Sequence, residues 1–251
     1  NWLIRELGLE DQLFFRKTKM GVYRGGKIYR FDNILHLFKF RHINFPDKFR
    51  FIFTSIYLGK FADWTKHENI SAYKWFSKWS GRSTLKNLWA PMLRVKFGPY
   101  ADKVPLAWMI GRLKQRLGSR KKGGERLGYL NGSLQVLLDA LLEELRRMGV
   151  ELVNNSPIQS ISIENNNIHR VSDQINDHAS KKFLFTIPTT ILAKLLDQKA
   201  EILAERLKSI EYFGAVCVVL VLSKPLSDIY WLNIADDDFP FGGIIEHTNF
   251  I

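Results

Sequence analysis

The rhythm of hydrophobic and polar positions changes several times along the chain. Trp2, Leu3, Leu7 and Leu9 read as a helix end, followed by the alternating runs Lys19–Arg24 and Lys27–Phe31. Gly25-Gly26 supplies the positive φ values of a tight turn between them, so residues 1–31 predict a helix end and a β-hairpin. Next, Phe49, Ile52, Phe53, Ile56 and Tyr57 recur at helical spacing behind Pro46-Asp47. Further helices are expected at 70–79, 83–96 and 104–118, and Arg116–Gly124 reads as a basic, flexible connection.

The second half has a different pattern. Leu134, Leu137, Leu138, Leu141, Leu145 and Met148 form one helix stripe, with Asn131 as its N-cap and Gly149 as its stop. Strands are expected at 150–154, 157–163 and 168–172, turning at Asn165–Asn167, and at Lys182–Pro188. Helices at about 189–197 and 199–208 precede a long strand at 213–222, then Tyr230–Asn233 and Gly242–Thr248. The whole predicts an α+β protein with a helical insertion. Cys217, inside the apolar run Ala215–Leu222, reads as a buried strand thiol.

Composition narrows the class. Among 251 residues, 46% are hydrophobic and 25% charged, which suits a globular chain of one large domain or two interwoven lobes. A single cysteine excludes a disulfide scaffold. No apolar run reaches the ~20 residues of a membrane span, and no signal segment opens the chain, so the expected location is cytoplasmic. The start lacks methionine and Thr248–Ile251 reads as a strand cut short, so a fragment of a longer protein is expected.

The net charge of +12 is unevenly placed. Residues 1–126 hold 27 Lys+Arg against 9 Asp+Glu, and residues 127–251 hold 10 against 16. The asymmetry points to an anionic partner for one face as the expectation: nucleic acid, a membrane surface or an acidic substrate. Ten of the eighteen phenylalanines fall within 14–61, interleaved with Lys and Arg. That stretch reads as a core stripe with a solvated charged face, or as a surface that docks peripherally on anionic lipid. A nucleic-acid surface is the least favoured reading, and no nucleic-acid partner is expected.

Catalytic signatures are sparse. Gly-x-Gly-x-x-Gly and Gly-x-Ser-x-Gly are absent, and the six histidines lack metal-ligand spacing, so no metal is expected. Gly21–Ile28 approaches a P-loop but carries Ile28 where a hydroxyl should meet Mg²⁺, which favours the hairpin. Asn69-Ile-Ser71 and Asn131-Gly-Ser133 read as chance glycosylation matches, and Asp236–Asp238 as a solvated loop.

A family resemblance carries the reading further. Glu125–Leu145, then Gly149–Val153, Ser156–Ile161 and Phe185-Thr-Ile-Pro188 resemble the middle of the FAD-dependent amine oxidase superfamily. Leu7–Leu13, Tyr23–Tyr29, Trp89–Gly98, Tyr230–Ile234 and Glu246–Asn249 resemble its branch near protoporphyrinogen oxidase and the phytoene-desaturase-like enzymes. The resemblance implies a substrate-binding lobe plus the middle of an FAD-binding lobe, acting by hydride transfer from a small-molecule substrate to FAD. It allots 1–31 and 32–126 to the substrate lobe, the latter as its basic helical insertion. It allots 127–188 to the FAD lobe and 189–251 to truncated substrate-lobe helices and strands.

By the same resemblance Ile158 meets the adenine through its backbone, and Thr186, Ile187 and Pro188 pass close to the cofactor. Gly128, Tyr129 and Gly132 shape the turn that opens the long helix. On the substrate side, Arg94 and Lys96 are expected to meet an anionic group, Trp231 to form an apolar wall, and Glu246 with His247 to lie near the flavin. Their structural alternatives are surface charges, core packing and a polar strand pair. The Gly-rich cradle for the pyrophosphate and the closing Gly-Asp segment of the family are missing, so FAD is expected to bind weakly or not at all. No catalytic side chain is assigned. The rival class is a non-enzymatic basic helical protein that binds anionic membrane or nucleic acid.

Overall fold

The computed structural model describes residues 2–121, 124–196 and 200–251. A short helix α1 (Trp2–Glu6) leads to β1 (Leu13–Lys17) and to the hairpin of β2 (Met20–Arg24) and β3 (Lys27–Arg30). Gly25 and Gly26, at φ 59° and 75°, close that hairpin as their spacing predicts. Six helices follow: α2 (Ile34–Lys39), α3 (Phe45–Ile56), α4 (Ala72–Trp79), α5 (Arg82–Thr84), α6 (Ala90–Phe97) and α7 (Leu106–Ser119). A π-helical turn at Tyr57–Phe61 extends α3, and another at Leu85–Trp89 joins α5 to α6. The helices expected behind Pro46-Asp47 and at 70–79, 83–96 and 104–118 are therefore present.

The remaining elements are β4 (Arg120–Lys121), β5 (Gly124–Leu130), α8 (Gln135–Arg147), β6 (Ser160–Glu164), β7 (Asn167–Ser172) and β8 (Asp177–Ala179). Then come α9 (Thr189–Leu196), α10 (Glu201–Lys208), β9 (Trp231–Ile234) and β10 (Gly243–Ile245). The mixture of helix and sheet agrees with the α+β expectation.

Contacts divide the chain into two units, residues 1–140 with 220–251, and residues 141–219. In the first unit, β10, β9, β2 and β3 lie side by side in one sheet. Its middle pair is parallel, with Met20 opposite Trp231 and Tyr23 opposite Ile234. A second sheet pairs β1 with β5, Leu13 opposite Leu130. The helices bury Leu58, Phe76, Trp89, Leu93, Leu106 and Ile110 against one another. Val22, Leu37, Phe40, Ile43 and Ala235 make the adjoining layer between helices and sheet. The second unit packs the meander β6-β7-β8 and helices α9 and α10 around Ile161, Val171, Ala193, Leu196 and Ala204.

Several expectations are corrected. Residues 150–154 form no strand, and Lys182–Pro188 and 213–222 pair with no other strand among the described residues. Phe183 and Phe185 do turn toward the core of their unit, so the alternation is real, but a ladder also needs a neighbour. Without one, Val216 and Val221 are 95% and 97% exposed, and Cys217 is an exposed thiol rather than a buried one. The supposed flexible connection after Arg116 is helical to Ser119, because Leu113 and Leu117 continue the apolar stripe of α7. Lys122 and Gly123 of that connection lie outside the described residues.

Asn131 does not cap α8. Its N–H donates to the Gln12 carbonyl, and the Ser133 hydroxyl accepts from Gln135 N–H at 3.2 Å. Gly149 does end the helix, with the Val150 N–H returning to the Leu145 carbonyl. Near the last residues, His247–Asn249 make a single 3₁₀ turn and Phe250 is buried, so no strand forms there.

Candidate functional site

The helices and the mixed sheet of the first unit line an open-sided cavity of about 300 Å³. Its floor is β2 and β9, through Met20, Gly21, Val22 and Asn233. One wall is α3, through Phe51, Ile52, Ser55 and Ile56; another is Leu88 and Trp89 of the second π-helical turn, with Met92 and Leu93 of α6. α7 lines it with Trp108, Met109, Leu113 and Leu117.

Local sequence explains why these groups converge. Phe76 and Trp89 stack with ring centroids 4.3 Å apart and planes at 10°, which fixes the π-helical turn against α4. Asp47, buried near the start of α3, accepts from Ser83 N–H at 3.0 Å and from the Ser83 hydroxyl at 2.7 Å. That clamp ties α3 to α5 and so sets the two walls relative to each other.

Charge lies at one part of the lining. Lys96 on α6 and Arg112 and Arg116 on α7 all line the cavity, and no carboxylate among the described residues does. Burial holds the Lys96 ammonium below the usual lysine range, and the neighbouring Arg112 and Arg116 cations push it the same way. Arg112 also donates to the Gln115 side chain at 3.0 Å and lies over the Trp108 ring. Two lining residues, Ser55 and Trp89, carry buried polar atoms with no hydrogen-bond partner among the described residues.

The residues named from sequence separate. Lys96 lines this cavity, but Arg94 lies at a second, more polar recess with Pro91, Val95, Asp237 and Phe241. There Arg94 pairs with Asp237 at 2.5 Å. The acidic run is thus not uniformly solvated. The Asp236 carboxylate faces Arg24 at 3.4 Å and accepts from Gly25 N–H, so it closes the hairpin turn.

Trp231 is half-buried in β9 and donates to the Asn233 side chain at 3.1 Å. Glu246 binds the Leu226 and Ser227 N–H groups, each at 3.0 Å, which makes it a loop anchor. His247 packs against Tyr129 and Phe250. Gly128 faces Phe15 across the β1–β5 pair, so β5 rather than a turn holds Gly128 and Tyr129, and Gly132 follows in the turn.

In the second unit, Ile158 packs half-buried against the core of Ile161, Val171, Ala193, Leu196 and Ala204, as do Phe183 and Phe185. Thr186, Ile187 and Pro188 follow on the surface. The same unit contains Ser156, Asp173 and His178 within hydrogen-bond reach. Both Ser156 and His178 bond Asp173 Oδ2, while Asp173 Oδ1 accepts from Ile175 and Asn176 N–H. These bonds hold the Asp173 carboxyl well below the usual carboxylate range. The aspartate sits in the middle and the serine has no base, so the trio clasps a turn rather than forming a nucleophile.

Sequence reasoning missed Arg112 and Arg116. Their spacing of four on one helix, beside the stripe of Leu113 and Leu117, was the available signal.

No family model and no curated protein matches the chain. Solved structures do match. A putative protoporphyrinogen oxidase from Exiguobacterium sp. 255-15 aligns with TM-score 0.67 at 15% identity, over 98% of this chain and 58% of that one. An oxidoreductase from Methanosarcina mazei aligns with TM-score 0.64 at 11% identity, over 92% and 56%. At these identities the likeness is one of fold, and the chain spans less than two thirds of either structure.

Proposed function

We propose that the chain provides the substrate side and part of the cofactor side of a flavin-dependent oxidoreductase that dehydrogenates an organic small molecule. The observation that carries this reading is an apolar cavity set on the mixed sheet, in a fold shared with two oxidoreductases. Bound FAD would supply the hydride acceptor. The chain's own share is to exclude water with Trp89, Trp108 and Met92 and to orient an apolar skeleton against the sheet.

The fit to FAD is partial. Ile158 and the exposed segment Thr186–Pro188 lie outside any ladder among the described residues, which suits a cofactor read through peptide groups. No glycine-rich turn for a pyrophosphate occurs in the sequence. The 251-residue chain is therefore expected to emerge from desalting colourless, whereas the gene product that contains this sequence together with a glycine-rich segment carries a flavin absorption spectrum. That product emerging without flavin would overturn the reading.

A second reading rests on α3 and the turn after it. Phe45, Phe49, Phe53 and Phe61 are exposed, Phe53 by 70% and Phe61 by 74%, with Lys39, Arg41, Arg50 and Lys60 exposed around them. That combination suits peripheral contact with an anionic lipid surface. No helix among the described residues is long and apolar enough to cross a membrane. Sedimentation with phosphatidylglycerol vesicles is expected, with loss on Phe49→Asp/Phe53→Asp and on raising salt. Equal sedimentation with phosphatidylcholine vesicles would sink this reading.

A further inference from the structure

We infer that residues 214–222 are a pairing strand for a second copy of this chain, joined antiparallel about a two-fold axis at Cys217. This goes beyond the proposed function and does not rest on it, because no residue lining the cavity takes part.

The run Gly214–Leu222 contains neither a charge nor a proline, and from Val216 onward every residue except Cys217 is Val or Leu. That is the composition of a strand inside a sheet. Yet none of its backbone N–H or C=O groups is hydrogen-bonded to another described residue. Its side chains are exposed at even and odd positions alike, Val216 and Val218 as much as Val219 and Val221. A segment with this composition and an open backbone recruits another strand, which satisfies its peptide groups and covers its side chains together.

The ends of the run select a second copy as that strand. Glu211 precedes it and Lys224 follows it, both exposed and neither in an ion pair among the described residues. Antiparallel pairing of two identical runs brings Glu211 of each copy beside Lys224 of the other, at both ends. Parallel pairing would instead set Glu211 against Glu211 and Lys224 against Lys224. A two-fold axis requires one residue to face itself. With Cys217 on the axis, Val216 faces Val218, Ala215 faces Val219 and Gly214 faces Leu220, while Glu211 falls opposite Ser223, one position from Lys224. Moving the axis to Val218 would bring Pro225, which has no N–H, opposite Glu211. Moving it to Val216 would leave Lys224 three positions from Glu211.

A single pair of short strands buries less than a standard interface, so the expected dimer is weak, with Kd on the order of 10 µM. Sedimentation velocity of the 251-residue chain over a concentration series reads it. Cys217 is the single cysteine, so a short bis-maleimide can join two copies only through that residue. Crosslinked dimer is expected, in a yield that rises with concentration. Val219→Lys/Val221→Lys is expected to weaken association about tenfold or more. Both side chains are exposed, so no packing is lost, and an unchanged thermal unfolding curve checks that the fold is retained. Glu211→Lys is expected to weaken the dimer about threefold, and Glu211→Lys/Lys224→Glu to restore it.

A chain that stays monomeric at about ten times that Kd would overturn the inference. So would a dimer that Val219→Lys/Val221→Lys leaves intact, and failure of the charge exchange to restore association would overturn the antiparallel pairing. A monomer whose Cys217 resists maleimide would show the run covered by its own polypeptide, and overturns the inference equally. None of these outcomes bears on whether the longer gene product carries flavin.

Discussion

Gly81→Ala is expected to lower the stability of the first unit by at least ~2 kcal/mol. Gly81 sits at φ 87° and ψ 150°, a region that L side chains scarcely visit. A Cβ there would also overlap the Asp47 carboxylate, which cannot retreat without breaking its bonds to Ser83. Both costs fall on the clamp between α3 and α5, hence on two cavity walls at once. Gly8→Ala is the control: its φ is 67° and nothing lies within 4 Å of the added carbon. Its cost should be only the backbone term, ~1 kcal/mol, in the same denaturant titration. Equal shifts for the two variants would show that the clamp contributes nothing.

Phe76→Ala should cost more, about 3–5 kcal/mol. Its side chain is fully buried, and its ring lies flat against Trp89 while Trp75 meets it edge-on at 5.5 Å. Removing it loses the transfer energy of the ring and leaves a hole that α4 and the π-helical turn cannot both fill. Thermal unfolding should fall by on the order of 10 °C, read by circular dichroism. Trp89 loses its stacking partner, so its emission should shift red in the native state. Phe76→Leu, which refills most of the space, should recover the greater part of the loss.

Much of the first unit was legible because its rules are local. The Gly25-Gly26 turn and the helices at 70–79, 83–96 and 104–118 depend on residues only a few positions apart. The apolar stripe of α3 was legible as a helix but not by its destination. Ile52 packs toward the core while Phe49 and Phe53 face outward, and helical spacing is satisfied either way.

The later strands were harder, since a β-branched run such as Val216–Leu222 proves a strand only when a neighbour pairs with it. The cavity was hidden for a related reason. Lys96 and Arg94 look equivalent in sequence, and only their partners, Arg112 with Arg116 in one case and Asp237 in the other, give them different surroundings. Those partners come from α7 and from the loop after β9, too far along the chain for any spacing rule to link.

The parallel pairing of β2 with β9 joins residues more than two hundred positions apart. A ribosome making this chain exposes β2, β3 and the helices long before β9 exists, and must also deliver the whole of residues 141–219 before it. The helices can collapse early, because their contacts are short-range. The cavity floor cannot, since Asn233 and the strand that carries it follow only after residues 141–219. Until β9 emerges, Met20, Gly21 and Val22 form an open strand edge beside an unfinished apolar hollow, which is the interval in which aggregation competes with folding and a chaperone would have most to do.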